Sequence, residues 1–200
     1  MKVSILGAGR MGSAIGACMK LAGDDVFLVD TNREHMDAIR ENGLEWQIND
    51  GDFTNVVFDG TGTSPEGIGI CDTVILLTSG IYTEEVIGGA LGKVIGPETY
   101  VVTFQNGLGH VDRIQKFVDV DHILQGMLKL GGKIYEPGRV QTLAHPDCCV
   151  TIGSVRQDPA ANERARIIAA AITRGGIISE FHEDIDYVIW EKVLNNCAFN

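Results

Sequence analysis

The chain is short of basic residues: 16 Lys and Arg stand against 27 Asp and Glu, for a formal net charge of −11. A phosphate backbone or an anionic bilayer would be repelled, so neither nucleic acid nor a membrane is expected as a partner. The acid is spread along the chain and not gathered into a tail. Long hydrophobic runs are missing too, and none approaches the ~20 residues that span a bilayer. The first strand-like run begins at Lys2, which leaves no room for a leader ahead of it. Cysteine is scarce. Cys18, Cys71, Cys148, Cys149 and Cys197 form no C-x-x-C pair, and their odd number and apolar neighbours suit reduced thiols in the cytoplasm. No metal site is expected. Adjacent Cys148 and Cys149 on an extended segment would point to opposite faces, which argues against a redox pair. There is no internal repeat and no low-complexity segment.

What the chain does have is an ordinary globular composition, 44% hydrophobic and 22% charged. Its 200 residues allow one large domain, or one domain and part of another. The 25 glycines fall in short clusters, as many strand–helix connections require.

The first thirty residues set the pattern. Lys2-Val3-Ser4-Ile5-Leu6 has strand length and breaks into Gly7-Ala8-Gly9-Arg10-Met11-Gly12. Apolar residues then recur at helical spacing through Ala14, Ile15, Ala17, Cys18, Met19 and Leu21. A second apolar run, Val26-Phe27-Leu28-Val29, ends on Asp30. This is the strand–turn–helix–strand–acid context that gives G-x-G-x-x-G its meaning. Gly7 allows a tight turn, Gly9 close approach of a pyrophosphate, and Gly12 close packing of the helix on the sheet. The helix N-terminus offers free N–H groups to the phosphates, and Asp30 can accept from the ribose hydroxyls. A nicotinamide or flavin dinucleotide site is expected.

Further on, Asn32 can cap a helix that stops at Asn42-Gly43. Residues 44–48 and 56–58 look extended, and residues 61–69 form a Gly/Pro-rich loop. Buried strands at 73–77 and 100–104 alternate with helices at 83–91 and 110–118, the rhythm of an open, doubly wound parallel sheet. Segments 122–130, 133–135, 139–144 and 148–152 then follow without helices between them and are expected as antiparallel additions to one end of that sheet. A helix over 159–174, capped by Asp158, ends at Gly175-Gly176, and Ile177-Ile178 begins a short strand. The last helix opens near Glu183-Asp184, is apolar nearly all round, and reaches Asn200 without a stop signal. The expected division is therefore a dinucleotide-binding domain over 1–182 and, over 183–200, the first helix of a helical second domain that is cut short.

Two further groups of residues carry chemistry. Gln105-Asn106-Gly107-Leu108-Gly109 follows a buried strand, where ligands sit in an open α/β sheet. An Asn-Gly turn alone would also explain it. Lys192, Asn196 and Asn200, at steps of four, form one polar stripe on the apolar last helix. Either solvent or a polar ligand must meet them.

Gly7 to Gly12, the Gln105–Gly109 segment, and Trp190-Glu191-Lys192 with Asn196 and Asn200 together resemble the ketopantoate reductase (2-dehydropantoate 2-reductase) family, over essentially the whole chain. The resemblance implies an α/β fold: a Rossmann-type doubly wound sheet with antiparallel additions, followed by the start of an all-helical substrate domain. It implies reduction of the ketone of 2-dehydropantoate to pantoate, on the route to pantothenate and coenzyme A. Lys192 would be the general acid. Asn106 would orient cofactor and substrate, and Asn196 and Asn200 would bind the substrate's polar groups. Gly7, Ala8, Gly9, Arg10, Met11, Gly12, Asp30, Asn32, Arg33, Thr78 and Asn106 would surround the cofactor.

The cofactor expected is NADH or NADPH. The family often carries basic residues just after the second strand and after the strand at 73–77. Here those places hold Asp30-Thr31-Asn32 and Thr78-Ser79-Gly80, so a 2′-phosphate would meet Asp30 without a fixed cation, and NADH is favoured. Arg33 is the residue that could swing onto a phosphate. The partner is a small 2-keto acid, and a homodimer is compatible with this reading. Two alternatives stay open: a reductase of another branched 2-keto acid, and a non-catalytic dinucleotide-binding module.

Overall fold

A mostly apolar run, which suits a strand covered on both faces, opens the chain as β1 (Lys2–Leu6), with Val3 to Leu6 all buried, Ser4 included. The helix α1 (Arg10–Leu21) buries Gly12 to Met19 without a break, because it is covered on two sides. β2 (Asp25–Val29) returns parallel to β1, and α2 (Arg33–Asn42) follows, capped by the Asn32 side chain, which accepts from the His35 N–H at 3.2 Å. The computed structural model describes residues 1–199, the side chains of Asn196 and Phe199 excepted.

The chain continues through β3 (Leu44–Ile48), β4 (Thr54–Val56), β5 (Gly60–Gly62), β6 (Thr73–Leu76), α3 (Thr83–Ala90), β7 (Tyr100–Thr103) and α4 (His110–Ile114). After these come β8 (Ile123–Leu128), β9 (Leu130–Glu136), β10 (Arg139–Ala144), β11 (Val150–Ser154), α5 (Pro159–Arg174), β12 (Ser179–Phe181) and α6 (Ile185–Phe199). The main sheet has eight strands in the order β12-β11-β8-β7-β6-β1-β2-β5. From β8 across to β5 every pairing is parallel, and the order reverses about β1, the doubly wound arrangement expected. No helix among the described residues is long and apolar enough to cross a membrane.

Three expectations need correction. First, β8 is not an antiparallel addition; it pairs parallel with β7, and α4 supplies the connection between them. Its Gly126 lets the Phe104 ring lie against it, since a Cβ there would meet ring carbon Cε1 at 2.1 Å. The antiparallel addition to this sheet is β11, with β12 parallel beyond it. Second, β9 and β10 leave the main sheet and join β3 and β4 in a separate four-stranded sheet, ordered β4-β3-β10-β9. That sheet packs on α1, which explains why α1 is buried almost all round. Third, Gly60-Thr61-Gly62, read as the entry to a loop, forms the edge strand β5 beside β2. The Phe27 ring lies across Gly60, where a Cβ would come within 2.8 Å of it, so the strand supplies the groove and β2 supplies the apolar cover.

The last helix, α6, is held by one face only. Ile185 and Val188 are buried with Met127 of β8, whereas Tyr187, Trp190 and Leu194 are 62%, 53% and 64% exposed. Its first turn is capped by Asp184, whose carboxylate accepts from the Tyr187 N–H at 3.0 Å. The carboxyl ends of β1, β6, β7 and β8 thus share one edge, and α6 passes beside it.

Candidate active site

At that edge the turn after β1 is built from backbone. The N–H groups of Gly7 and Ala8 donate to the Val29 carbonyl at 2.9 and 3.1 Å, tying the turn to β2. The first bond of α1 is Ser13 N–H to Gly9 C=O at 2.8 Å, so the N–H groups of Arg10, Met11 and Gly12 precede the intrahelical ladder. The three glycines differ in what demands them. Gly7 has φ +98°, and a Cβ on it would lie 2.5 Å from the Thr78 nitrogen. A Cβ on Gly12 would meet the Gly7 carbonyl oxygen at 2.1 Å. Gly9 has φ −71°, and a Cβ there meets only Asp30 Oδ2, at 3.9 Å. Nothing in the protein requires glycine at position 9.

Asp30 closes this end. Its Oδ1 accepts from the Asn32 N–H at 2.8 Å, which leaves Oδ2 on the side of Gly9. A cleft of about 930 Å³ runs from Asp30 and Thr31 along Gly7, Gly9, Arg10, Met11 and Gly12 to Leu77 and Thr78. The expected cofactor residues are therefore mostly gathered here, with exceptions. Ala8 is fully buried in the core, Asn32 is engaged as a helix cap, and Arg33 is exposed on α2 outside the cleft lining.

Thr78 is held by a residue the sequence pointed to only as part of a loop. Gln105 Nε2 donates to the Thr78 carbonyl at 3.0 Å and its hydroxyl oxygen at 3.2 Å. Gln105 Oε1 accepts from the Thr83 and Thr103 hydroxyls at 3.2 and 3.1 Å. This amide therefore clamps the end of β6, the end of β7 and the start of α3 together. These bonds shape the cleft, which Gln105 also lines.

The adjoining part of the cleft, about 590 Å³, is built from side chains of distant segments. Lys192 Nζ of α6 donates to Asn106 Oδ1 at 2.8 Å and to the Leu128 carbonyl at 2.9 Å. An ammonium has three donors, so one N–H is left for a ligand. Burial first, and then the like charge of Lys129, lower the Lys192 proton affinity below the ordinary lysine range. Asn106 is itself steadied: His110 Nε2 lies 2.9 Å from its backbone carbonyl. A carbonyl only accepts, so Nε2 carries that proton, and His110 Nδ1 is buried without a partner among the described residues. Asn106 and Lys192, 86 residues apart in the chain, are thus brought together. Asn200 and the side chain of Asn196, the other two members of the stripe, lie outside the described residues.

A buried histidine braces the glycine turn from behind. The Gly138 N–H donates to His35 Nδ1 at 3.0 Å, and His35 Nε2 lies 3.1 Å from Ser13 Oγ. Ser13 Oγ donates in turn to the Ala8 carbonyl at 2.9 Å. Since Nδ1 accepts, the ring is neutral with its proton on Nε2. Burial lowers its proton affinity, and the charge of Asp30 opposes that only in part. The β9–β10 turn and the glycine turn are linked through this one ring, a connection across 103 residues that no local pattern announces.

A model described as ketopantoate reductase PanE/ApbA matches residues 3–157. The 2-dehydropantoate 2-reductase of Streptococcus pyogenes serotype M3 is 29% identical over 200 residues, covering all of this chain and 62% of its own length. The crystal structure of 2-dehydropantoate 2-reductase from Geobacter metallireducens superposes with a TM-score of 0.84 at 27% identity, covering 98% of this chain and 62% of its own. A ternary structure of D-mandelate dehydrogenase with NADH and anilino(oxo)acetate gives a TM-score of 0.82 at 28% identity, over 96% of this chain and 60% of its own. The chain spans about three-fifths of the length of the curated relatives it matches.

Proposed function

The chain belongs to the ketopantoate reductase PanE/ApbA family, and from that premise we propose that it reduces the ketone of 2-dehydropantoate to the alcohol of pantoate with a reduced nicotinamide dinucleotide. The observation that carries this is the meeting of Lys192, Asn106 and the Leu128 carbonyl in a cleft continuous with the glycine turn. Arg10, Met11, Thr78 and Leu77 line both parts of that cleft.

The residues present fit the dinucleotide. Gly9 leaves open the space a side chain would fill, the N–H groups of Arg10, Met11 and Gly12 can receive the pyrophosphate, and Asp30 Oδ2 can accept from the ribose. A reduced nicotinamide held by these residues would supply the hydride for the ketone carbon. Lys192 gives the matching proton: its free N–H meets the ketone oxygen, and transfer leaves an alcohol and a neutral amine, which solvent reprotonates. Asn106 Oδ1 and the Leu128 carbonyl each occupy one N–H, which orients the third. The lowered proton affinity makes the ammonium a better donor near neutral pH. Activity should accordingly fall as pH rises through the depressed Lys192 pKa, because the acid is then lost. Asn196 and Asn200 belong to this proposal as ligands of the substrate's polar groups.

Three finer points go with it. The cofactor preferred is NADH, because Asp30 stands at the ribose end and Thr31 and Thr78 carry no charge against a 2′-phosphate. Residues 1–182 form the dinucleotide unit and 183–200 open a helical substrate unit; the exposed Tyr187, Trp190 and Leu194 of α6 support that division. The compartment is the cytoplasm, and a homodimer is the assembly this reading allows. A second substrate reading, another branched or an aromatic 2-keto acid, is favoured by the likeness to a D-mandelate dehydrogenase. A non-catalytic module is disfavoured, since a binder has no use for an ammonium beside the dinucleotide cleft. Steady-state assays with 2-dehydropantoate and phenylglyoxylate, each with NADH and NADPH, separate these readings. We expect 2-dehydropantoate to have the higher kcat/KM, with NADH ahead of NADPH by about tenfold. Preference for phenylglyoxylate would move the substrate, preference for NADPH would overturn the cofactor choice, and no turnover of any keto acid would leave the non-catalytic module.

A further inference from the structure

The part of the cleft that holds Lys192 contradicts the charge of the whole chain. The chain is acidic at −11, yet this space is lined by Arg10, Lys129 and Lys192 and by no carboxylate. Glu191, the nearest acid in sequence, does not line this space; it lines a smaller adjoining pocket that Lys129 and Lys192 also border. Two of the cations have tasks already: Lys192 is bonded to Asn106 and Leu128, and Arg10 Nη1 donates to the Gly132 carbonyl at 3.0 Å. The Lys129 ammonium has no ion pair or hydrogen bond among the described residues.

Its place follows from the fold. Lys129 is the residue between β8 and β9, where the chain leaves the main sheet at its carboxyl edge and enters the second sheet. Its backbone is pinned there, since its N–H donates to the Cys149 carbonyl at 2.7 Å. The preceding residue, Leu128, supplies the carbonyl that holds Lys192. The two ammonium groups are therefore presented to the same space by adjacent anchor points, close enough that Lys129 repels the charge on Lys192. An anion entering this space would offset that repulsion.

We propose that Lys129 is the carboxylate anchor of the substrate site, holding the acid group of a 2-keto acid while Lys192 addresses the ketone oxygen on the adjacent carbon. The inference rests on the keto-acid reading of the cleft and deepens it. A carboxylate next to a ketone meets two cations here with matching tasks, one for the carboxylate and one that gives its proton to the ketone oxygen. Neutral ketones, esters and amides would meet Lys129 with nothing to offset its charge, and this selects against them.

Calorimetric titration of oxamate, an anion with an amide carbonyl where a keto acid has its ketone, against neutral oxamide reads this without turnover. With NADH present, the unmodified chain should bind oxamate at least about tenfold more tightly than oxamide. Lys129→Met should remove most of that preference while leaving oxamide and NADH affinities within about twofold, and Lys129→Arg should restore it. Retention of the preference in Lys129→Met, or its absence from the unmodified chain, would overturn the anchor and leave the reductase reading standing. Failure of the unmodified chain to bind either compound would overturn the keto-acid reading together with the anchor.

Discussion

The two halves of the cleft are made of different materials. The half at Asp30 is backbone: a turn with one positive-φ glycine, a helix start, and N–H groups fixed by bonds to Val29. It is braced from behind by His35 and Ser13, which are both buried. The half at Lys192 consists of side chains from α6, the loop after β7 and the β8–β9 junction, and Asn106 is exposed. Phosphates need many weak donors held in a fixed array, and a short stretch of main chain supplies that. Proton transfer needs one titratable group with its neighbours placed around it, and such a group must be assembled across the fold. The first half is set by a short stretch of chain; the second is assembled across the fold and depends on how α6 is seated.

Substitutions at the glycines should expose this contrast most strongly. Gly7→Ala puts a Cβ 2.5 Å from backbone and demands a left-handed conformation, so it should cost about 3 kcal/mol of stability, read by denaturant titration. Gly9→Ala should leave stability within about 1 kcal/mol and yet weaken NADH binding by about tenfold or more. Equal losses of stability in both variants would remove the claim that position 9 is kept open for a ligand.

At the other half, Asn106→Ala takes one acceptor from Lys192 and frees the ammonium to turn. The expected result is a fall of about tenfold in kcat/KM with NADH affinity unchanged, measured by steady-state kinetics and fluorescence titration. A loss confined to NADH binding would put Asn106 with the backbone half instead.

The smallest expected effect lies behind the glycine turn. His35 is held neutral, with a folded-state pKa below its ordinary 6.5. The unfolded chain therefore takes up the proton first, so the stabilisation is complete above about pH 6.5 and is lost progressively as pH falls below it. The Tm should drop between pH 7 and pH 5, and drop less in His35→Gln. Identical pH profiles for the two proteins would show that the brace does not depend on the neutral ring.

The same division governs what could be read from the sequence. Residues 1–30 spell out their structure, because each element there is set by its own residues and the turn between them. The caps at Asn32 and Asp158 were equally plain, being local hydrogen bonds. The β5 edge strand was not: Gly60-Thr61-Gly62 has no pattern of its own and borrows its cover from Phe27. Nor was the second sheet, since β3 and β10 pair across a separation that no turn signal spans. In the site, Lys192 and Asn106 stood out as a polar stripe and a glycine-flanked amide. Gln105, His110, His35 and Lys129 did not: Gln105 and His35 act through partners 27 and 103 residues away, His110 holds only a backbone carbonyl, and Lys129 is marked out only by the cleft it lines. For those four the only signal was a polar residue beside an apolar strand or at a helix start, which is common.

The central claim is that the backbone half binds the dinucleotide and Lys192 supplies the proton. Lys192→Ala, assayed in parallel for NADH Kd and for kcat/KM with 2-dehydropantoate, tests it most directly. The account predicts a Kd within about twofold of the unmodified protein and a kcat/KM lower by about a hundredfold or more. Near-native turnover, or a loss of NADH affinity as large as the loss of turnover, would contradict it.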